Sequence, residues 1–295
     1  MSTIESNTGA DIPNHMPKKR SYNDLGYGPK VNVSSTLKVL SWNIWLNSNY
    51  RKERTQQIIT TINRHQPDLI FLQEVTPDTH KLIEQQLRNS YYIFECFQGE
   101  GSDYGTCILC NISTVKIVTD SPYYYDYTVT KFSRRIVGCE IELFKAERQP
   151  KFQIVTTHLE SLPENSQTRN IQFNMLDGSC RDFKHCIIAG DFQVWSEHEP
   201  LAASLRDSRF NDCWVDLGCP GKLKYTYDSK KNRNARFTQN QADGEHAQCR
   251  FDRIIYHSNK LKPKTMGLLG RTQLSPDLNV TPSNHYGLMA EFDLS

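Results

Sequence analysis

No apolar run in this 295-residue chain approaches the roughly 20 residues that a membrane-spanning helix needs, so no helical span is expected. The opening stretch MSTIESNTGADIPNHMPKKRSYN contains no apolar core of the secretory kind. Charge of one sign is equally scarce. The 35 basic and 33 acidic residues leave a formal net charge of +2, so bulk charge does not point to a nucleic-acid partner. A local basic patch is still able to steer one, because steering depends on charge distribution. There is no GxSxG elbow for a serine nucleophile and no GxxxxGK[ST] phosphate loop. The nine cysteines include one CxxC, Cys107 and Cys110, without the second pair that a zinc site usually needs. Reduced thiols in an intracellular protein, mostly packed in its core, are the expectation.

What the chain does contain is a long alternation of strand-like and helix-like segments. Residues 1–36 are polar, without helical or alternating period, and are expected to form a disordered arm. Within it, Pro17-Lys18-Lys19-Arg20 is a candidate nuclear address, with a solvated charge run as the plain alternative. Residues 37–295 show no repeat and no composition shift, which points to one domain. LKVLSWNI and DLIFLQEV have the apolar character of strands. Between them RKERTQQIITTINRH places Ile58, Ile59 and Ile62 on one helical face, and PDTHKLIEQQL opens on Pro77 like a helix start. YYIFECF, TCILCNI, VKIVTD, RRIVGCEIEL and FQIVTTHLE follow as strands, several in hairpin-like succession. A helix is expected near 164–183, a strand at CIIAGD, a short helix within WSEHEPLAASLRD, loops over 217–247, and late strands in RFDRIIYHS and HYGLMAEFDL. Hairpins mixed with helical crossovers imply an α/β domain of largely antiparallel sheets under helices, not a parallel Rossmann sheet.

Polar residues recur where these apolar strands end. Asn43 closes LSWN, Glu74 closes FLQE, His158 and Glu160 close TTHLE, and Asp191 closes CIIAGD. Asp252 lies within RFDRI, and Asn284 and His285 stand just before the last strand. Each alone has an ordinary explanation as a turn former or a solvated strand end. Together they repeat one arrangement with complementary chemistry, on the rim of a rigid sheet where binding and catalytic groups are commonly presented. Oxygen donors and histidines without clustered thiols suit Mg²⁺ or Mn²⁺ better than zinc.

In this order SWNIW, FLQEV, TTHLES, RNIQF, AGDFQ, KYTYDSKKN, CRFDRII, GLLG and PSNHYGLMAEF resemble the endonuclease/exonuclease/phosphatase superfamily. They are most similar to its 5′-tyrosyl-DNA phosphodiesterase type 2 branch. The resemblance runs from about residue 37 to the end of the chain. It implies a deoxyribonuclease I-like four-layer sandwich of two mostly antiparallel sheets flanked by helices. It also implies a nuclear DNA-repair phosphodiesterase that hydrolyses the link between a 5′-phosphate and the tyrosine of a trapped topoisomerase, with Mg²⁺ or Mn²⁺ as cofactor.

By the same resemblance, Glu74, helped by Asn284, would hold the metal. Asp191 would activate or orient the attacking water, and Asn43 would hold the phosphate or that aspartate. His285 would donate to a non-bridging oxygen with Asp252 fixing its tautomer, and His158 and Ser161 would line the phosphate site. Two positions depart from the family pattern: Gln193 stands where GDxN has asparagine, and Asn284 where SDH has aspartate. These departures leave open a different superfamily member, such as an abasic-site endonuclease or an RNA exonuclease, and a non-catalytic protein that binds DNA ends or a partner. On the substrate side, Trp195 replaces an arginine of close relatives and is a candidate for stacking on a base. Tyr225 and Tyr227, with Lys222, Lys224, Lys230, Lys231, Arg233 and Arg236, form a basic, aromatic-interleaved stretch suited to single-stranded DNA. Arg134 is a candidate for phosphate contact.

Overall fold

Alternation within the strands decides the layering, because successive side chains point to opposite faces. In β2 (Leu69–Val75), Leu69 and Phe71 face one apolar cluster while Ile70 and Leu72 face another. In β9 (Cys186–Asp191), Ile187 and Ala189 face that first cluster and Ile188 faces a third. The shared cluster is the space between two sheets, and each sheet carries helices on its other face.

The structure, a computed structural model, describes residues 35–97, 103–118, 122–144, 150–236, 246–275 and 279–295. Nearly all of the expected polar arm, including the basic run 17–20, lies outside them. The first sheet has the order β14-β15-β1-β2-β4-β3. It comprises β1 (Thr36–Asn43), β2, β3 (Tyr91–Phe97), β4 (Gly105–Asn111), β14 (Leu261–Leu269) and β15 (Gly287–Leu294). The second has the order β10-β13-β9-β8-β7-β5, with β6 also paired to β7. Its members are β5 (Val115–Ile117), β6 (Tyr123–Asp126), β7 (Arg135–Leu143), β8 (Lys151–His158), β9, β10 (Asn211–Asp212) and β13 (Asp252–His257). The short pair β11 (Tyr227–Asp228) and β12 (Gln248–Cys249) stands apart.

Helix α1 (Arg51–His65) buries Ile58, Ile59 and Ile62 against the first sheet, on the face expected from their spacing. Helix α2 (Pro77–Leu87) starts at a proline behind Thr76, whose hydroxyl caps Thr79 N–H. That proline belongs at the first helical position, where no N–H is needed. Helices α3 (Ser166–Cys180) and α4 (Pro200–Asp207) cover the second sheet through Phe173, Leu176 and Leu201, and α5 (Cys213–Asp216) is a single turn. The result is the four-layer sandwich, helices outside and two mostly antiparallel sheets within.

Several details differ from the sequence reading, among them β6, β10 and α5, which it did not expect. β14 was not expected, because LKPKTMGLL carries a proline, a glycine and two lysines. It forms the edge of its sheet, with a register shift between Pro263 and Thr265, and an edge is where a strand tolerates proline. Helix α3 is shorter than 164–183. The stretch 217–247 is not wholly loop, since β11 pairs with β12 and Tyr227 bridges to His285.

The two parallel pairs, β1 with β2 and β8 with β9, bring strand ends to one rim. Asn43 pairs with Gln73, His158 with Asp191, and Asp252 with Asp191 from the antiparallel side. Gly190 is required just before Asp191, because an added Cβ would meet the carbonyl oxygen of Thr157 at 2.1 Å. Cys107 and Cys110 face opposite sides of β4 and belong to different clusters, so they do not converge on one ion.

Candidate active site

At that rim the polar strand ends meet in a cleft of about 300 Å³. Its lining includes Trp45, Glu74, Ser161, Gln193, Asn284 and His285. Asp191 is fully buried and is the common centre. Its Oδ2 accepts from Asn43 Nδ2 at 2.9 Å and from Gln193 Nε2 at 2.8 Å, and its Oδ1 accepts from the Gln193 backbone N–H at 3.1 Å. The longer amide of Gln193 therefore still reaches the carboxylate. Asn43 also donates to Glu74 Oε1 at 3.0 Å, while Leu46 N–H donates to Glu74 Oε2 at 2.9 Å.

Backbone strain aims several of these side chains. Of the non-glycine residues with positive φ among the described residues, four line the cleft: Trp45, Glu74, Leu162 and Gln193, with φ of 63°, 60°, 76° and 52°. Such conformations cost on the order of 1–3 kcal/mol each and tend to collect at functional sites. At Glu74 the strain coincides with a register shift of β2 against β4, between Gln73 and Val75. A bulge of this kind re-aims a side chain. It presents Glu74 to the cleft, partly exposed, while its strand neighbours stay buried.

The two histidines are in opposite states. Arg134 Nη1 lies 2.9 Å from His158 Nδ1, and arginine can only donate. Nδ1 is therefore the acceptor and Nε2 carries the proton. Burial, then Arg134 and His285, hold the His158 imidazole well below the usual range, so it is neutral. Its Nε2 points toward Asp191 Oδ2 at 3.4 Å and makes no hydrogen bond among the described residues. It is a buried N–H donor beside the Asp191 carboxylate, at the inner end of the rim. His285 differs because its Nδ1 lies 2.8 Å from Asp252 Oδ2. Burial opposes its ionisation, but Asp252 and then Asp191 outweigh this and raise the imidazole to about 9. One neutral and one cationic imidazole thus flank one carboxylate, whose own ionisation burial pushes to higher pH.

The charged pair carries a consequence for stability. The folded value of His285, about 9, lies above its ordinary 6.5, so its contribution is complete below pH 6.5 and is lost as pH rises through about 9. At about 1.36 kcal/mol per unit this is about 3 kcal/mol at most. Thermal melts of metal-free protein from about pH 6 to about pH 10 are expected to show a falling Tm, and a clearly smaller fall in His285→Gln. Equal falls in both would mean that Asp252 and His285 are not an ion pair.

Other side chains hold this frame. Ser283 Oγ donates to Asn43 C=O at 2.5 Å and accepts from His285 N–H at 3.1 Å, and Thr226 Oγ1 accepts from Asp252 N–H at 3.0 Å. Phe251 and Tyr227 place their rings 5.8 and 5.2 Å from that of His285. Ser283, Thr226 and Phe251 carried no signal of their own in the sequence beyond standing next to motif residues. Glu160 is buried, and it accepts from the backbone N–H groups of Lys131 and Phe132 and from Gln172, so it orders a loop. In RNIQF, Arg169 donates to Glu160 C=O and Leu162 C=O, which ties the segment after β8 to α3.

The expected substrate-side residues divide. Arg134 is buried, bound to His158 and to Ser161 Oγ at 2.9 Å, so it positions those two residues and is not an exposed cation. Tyr227 is also buried, with its hydroxyl on Ala235 C=O, and is a wall of the cleft, not a free stacking platform. Trp195 packs edge-on against Phe251 at 4.8 Å and still lines the cleft. Tyr225 is half-buried, and Lys222, Lys230, Lys231, Arg233 and Arg236 are exposed.

The donor set fits a hard divalent cation. Asp191, Asp252 and His285 place ligand-type atoms within 4.8 Å of one another. His285 Nδ1 is engaged by Asp252, however, and Asp191 already accepts three hydrogen bonds, so a proton holds this trio together. Glu74, partly exposed, and the amide oxygen of Asn284 line the same cleft and offer oxygen ligands. Carboxylate and amide oxygens are what hard cations prefer.

The profile of the Endonuclease/Exonuclease/phosphatase family matches residues 40–285. Tyrosyl-DNA phosphodiesterase 2 of Mus musculus is 30% identical over 273 residues, which cover 90% of this chain and 69% of that protein. The solved structure of D. rerio tyrosyl-DNA phosphodiesterase 2 complexed with single-strand DNA product is similar with a TM-score of 0.76. Its identity is 25%, over 88% of this chain and 99% of that one. The human Nocturnin catalytic domain, 20% identical with a TM-score of 0.66 over 90% of this chain and 97% of that one, shares the fold.

Proposed function

This chain belongs to the endonuclease/exonuclease/phosphatase family and is a phosphodiesterase, and on that premise we propose that it hydrolyses 5′-phosphotyrosyl links at DNA ends, with Mg²⁺ as the working cation. The observation that supports this most is the convergence of Asp191, His158, His285 and Glu74 on one rim, each in a different protonation or exposure state. An in-line displacement at phosphorus needs a water, fixed donors and charge neutralisation, and little covalent chemistry from the protein. Asp191 orients the attacking water and takes its proton, and Asn43 and Gln193 hold that carboxylate in place. The Nε2–H of neutral His158 and the cationic His285 donate to phosphate oxygens as charge builds. A cation held by Glu74 and Asn284 would neutralise charge on the phosphate and the leaving oxygen. The tyrosyl adduct as substrate is supported by the names of the relatives and by the run THLES…RNIQF…GDFQ.

The test is a Mg²⁺ titration with a 5′-tyrosyl single-stranded oligonucleotide, beside abasic-site DNA and RNA of equal length. Saturable release of tyrosine, much faster than cleavage of the other two, is expected. Preferential cleavage of either alternative would move the assignment to another branch of the family. Asn284 gives a sharper expectation, because a neutral amide replaces a negative ligand and charge-assisted contacts are roughly twice as strong. Asn284→Asp should lower the half-activating Mg²⁺ concentration severalfold. The same curve in both proteins would show that charge at this position does not limit the enzyme.

A further inference from the structure

A second cavity, of about 110 Å³, adjoins the cleft at Trp195. Trp195 lines both, so the two cavities are neighbours. Arg250 and Arg253, which flank Phe251 and Asp252 in sequence, line this cavity and are only 8% and 4% exposed. Both reach the same carboxylate. Arg250 Nη1 is 2.7 Å and Arg253 Nη1 3.0 Å from Asp212 Oδ2. Two buried guanidinium groups therefore share one bonded carboxylate. Glu197 is a further acidic group whose charge acts on Arg253, and Lys224 adds a third cation to the lining. The Arg250 guanidinium lies over the Trp214 ring at 4.6 Å, which fixes its plane. Burial, and then Arg250, lower Arg253 to about 10, which still leaves it cationic at neutral pH.

Donors are in surplus as well as charge. The Nε of Arg250, the Nε of Arg253 and the Nε1 of Trp195 are buried with no hydrogen-bond partner among the described residues. Lys224 lines the same cavity with its ammonium 5.4 Å from the Tyr225 ring centre, and Glu197 is the acidic residue of the lining. Buried donors without acceptors and buried cations without counterions both cost stability. An anion with several acceptor oxygens offsets both costs, and the planar guanidinium fork matches phosphate oxygens.

We propose that this cavity is a second phosphate subsite, in which Arg250, Arg253, Lys224 and the Trp195 N–H hold a backbone phosphate of the strand whose 5′ end lies in the cleft. It rests on the reading of the cleft as a DNA-end site. The cleft and this cavity share Trp195 in their linings, so the subsite gives the strand a fixed path past Trp195 and away from Asp191. It acts through charge and backbone geometry and is indifferent to base sequence.

The test reads binding separately from cleavage. Anisotropy of a labelled 5′-phosphorylated single-stranded oligonucleotide is measured with the whole chain in EDTA over a salt series. Arg250→Gln leaves Arg253 paired one-to-one with Asp212, and Lys224→Gln changes a half-buried residue, so the second variant keeps the test valid if the first misfolds. Each should flatten the slope of log K against log salt by about 0.7, the increment for one single-strand phosphate. Each should also raise KM for the tyrosyl oligonucleotide severalfold. Wild-type slope and KM in the folded variants overturn the subsite. If wild type releases no tyrosine and the slopes still flatten, the subsite stands and the reading of the cleaved bond falls. If tyrosine is released and the slopes do not move, only the subsite falls.

Discussion

Asp191→Asn is expected to lower kcat by about 10²–10⁴, the range that a positioned general base contributes, while DNA binding is retained. Of Asp191 and the two histidines that flank it, the carboxylate alone is able to take a proton from water. His285 is already protonated, and His158 offers N–H toward Asp191, not a lone pair. Asparagine keeps the shape and loses the basicity. The effect on folding should be small for two opposing reasons. Asp191 receives three hydrogen bonds, so an amide nitrogen must face at least one donor, at a cost of about 1–3 kcal/mol. Against this, the buried carboxylate is held above its ordinary range by desolvation, and a neutral side chain removes that penalty. Thermal melts should therefore lie within a few degrees of wild type. Turnover close to wild type at saturating Mg²⁺ would rule out Asp191 as the base. A large loss of stability would show that its hydrogen bonds are structural first.

Glu74→Gln should raise the half-activating Mg²⁺ concentration by about one to two powers of ten, from the roughly 1.5–3 kcal/mol assigned to a charge-assisted contact. Of the acidic side chains at the rim, Glu74 alone lines the cleft. Its backbone is strained and its strand bulged at that point. Its two oxygens accept one hydrogen bond each, from Asn43 and Leu46, which leaves further lone pairs for a cation. Binding of Mn²⁺ measured by calorimetry, without substrate, separates loss of metal from loss of rate. Unchanged Mn²⁺ affinity would move the cation to the cluster of Asp191, Asp252 and His285.

The sequence by itself determined the α/β class, the largely antiparallel sheets under helices and the polar residues at the strand ends. Strands such as LIFLQEV and CIIAGD are apolar on both faces, and the helices between them carry one apolar stripe, so sheets covered by helices follow from the pattern, while the count of two sheets and four layers came from the family resemblance. Chemistry at strand ends is visible because a carboxylate or histidine interrupts an apolar run. Tyr227 and Arg134 were candidates for contact with the substrate, and both are buried, because a short strand pair and a bridge to His285 fold one inward and His158 captures the other. The edge strand β14 escaped detection because its proline and lysines hide its pairing.

What only the tertiary structure decided is the state of each group. Sequence spacing gives no sign that His158 is neutral and His285 charged, since that depends on which histidine receives Arg134 and which receives Asp252, partners 24 and 33 residues away. It gives no sign that Asn43 joins Glu74 to Asp191, two carboxylates brought together from different sheets. Nor does it show that Arg250 and Arg253 share Asp212, about 40 residues upstream. Apolar burial is local and periodic, so it can be read along the chain. Protonation and charge balance are set by distances between segments remote in sequence, so they exist only in the folded protein.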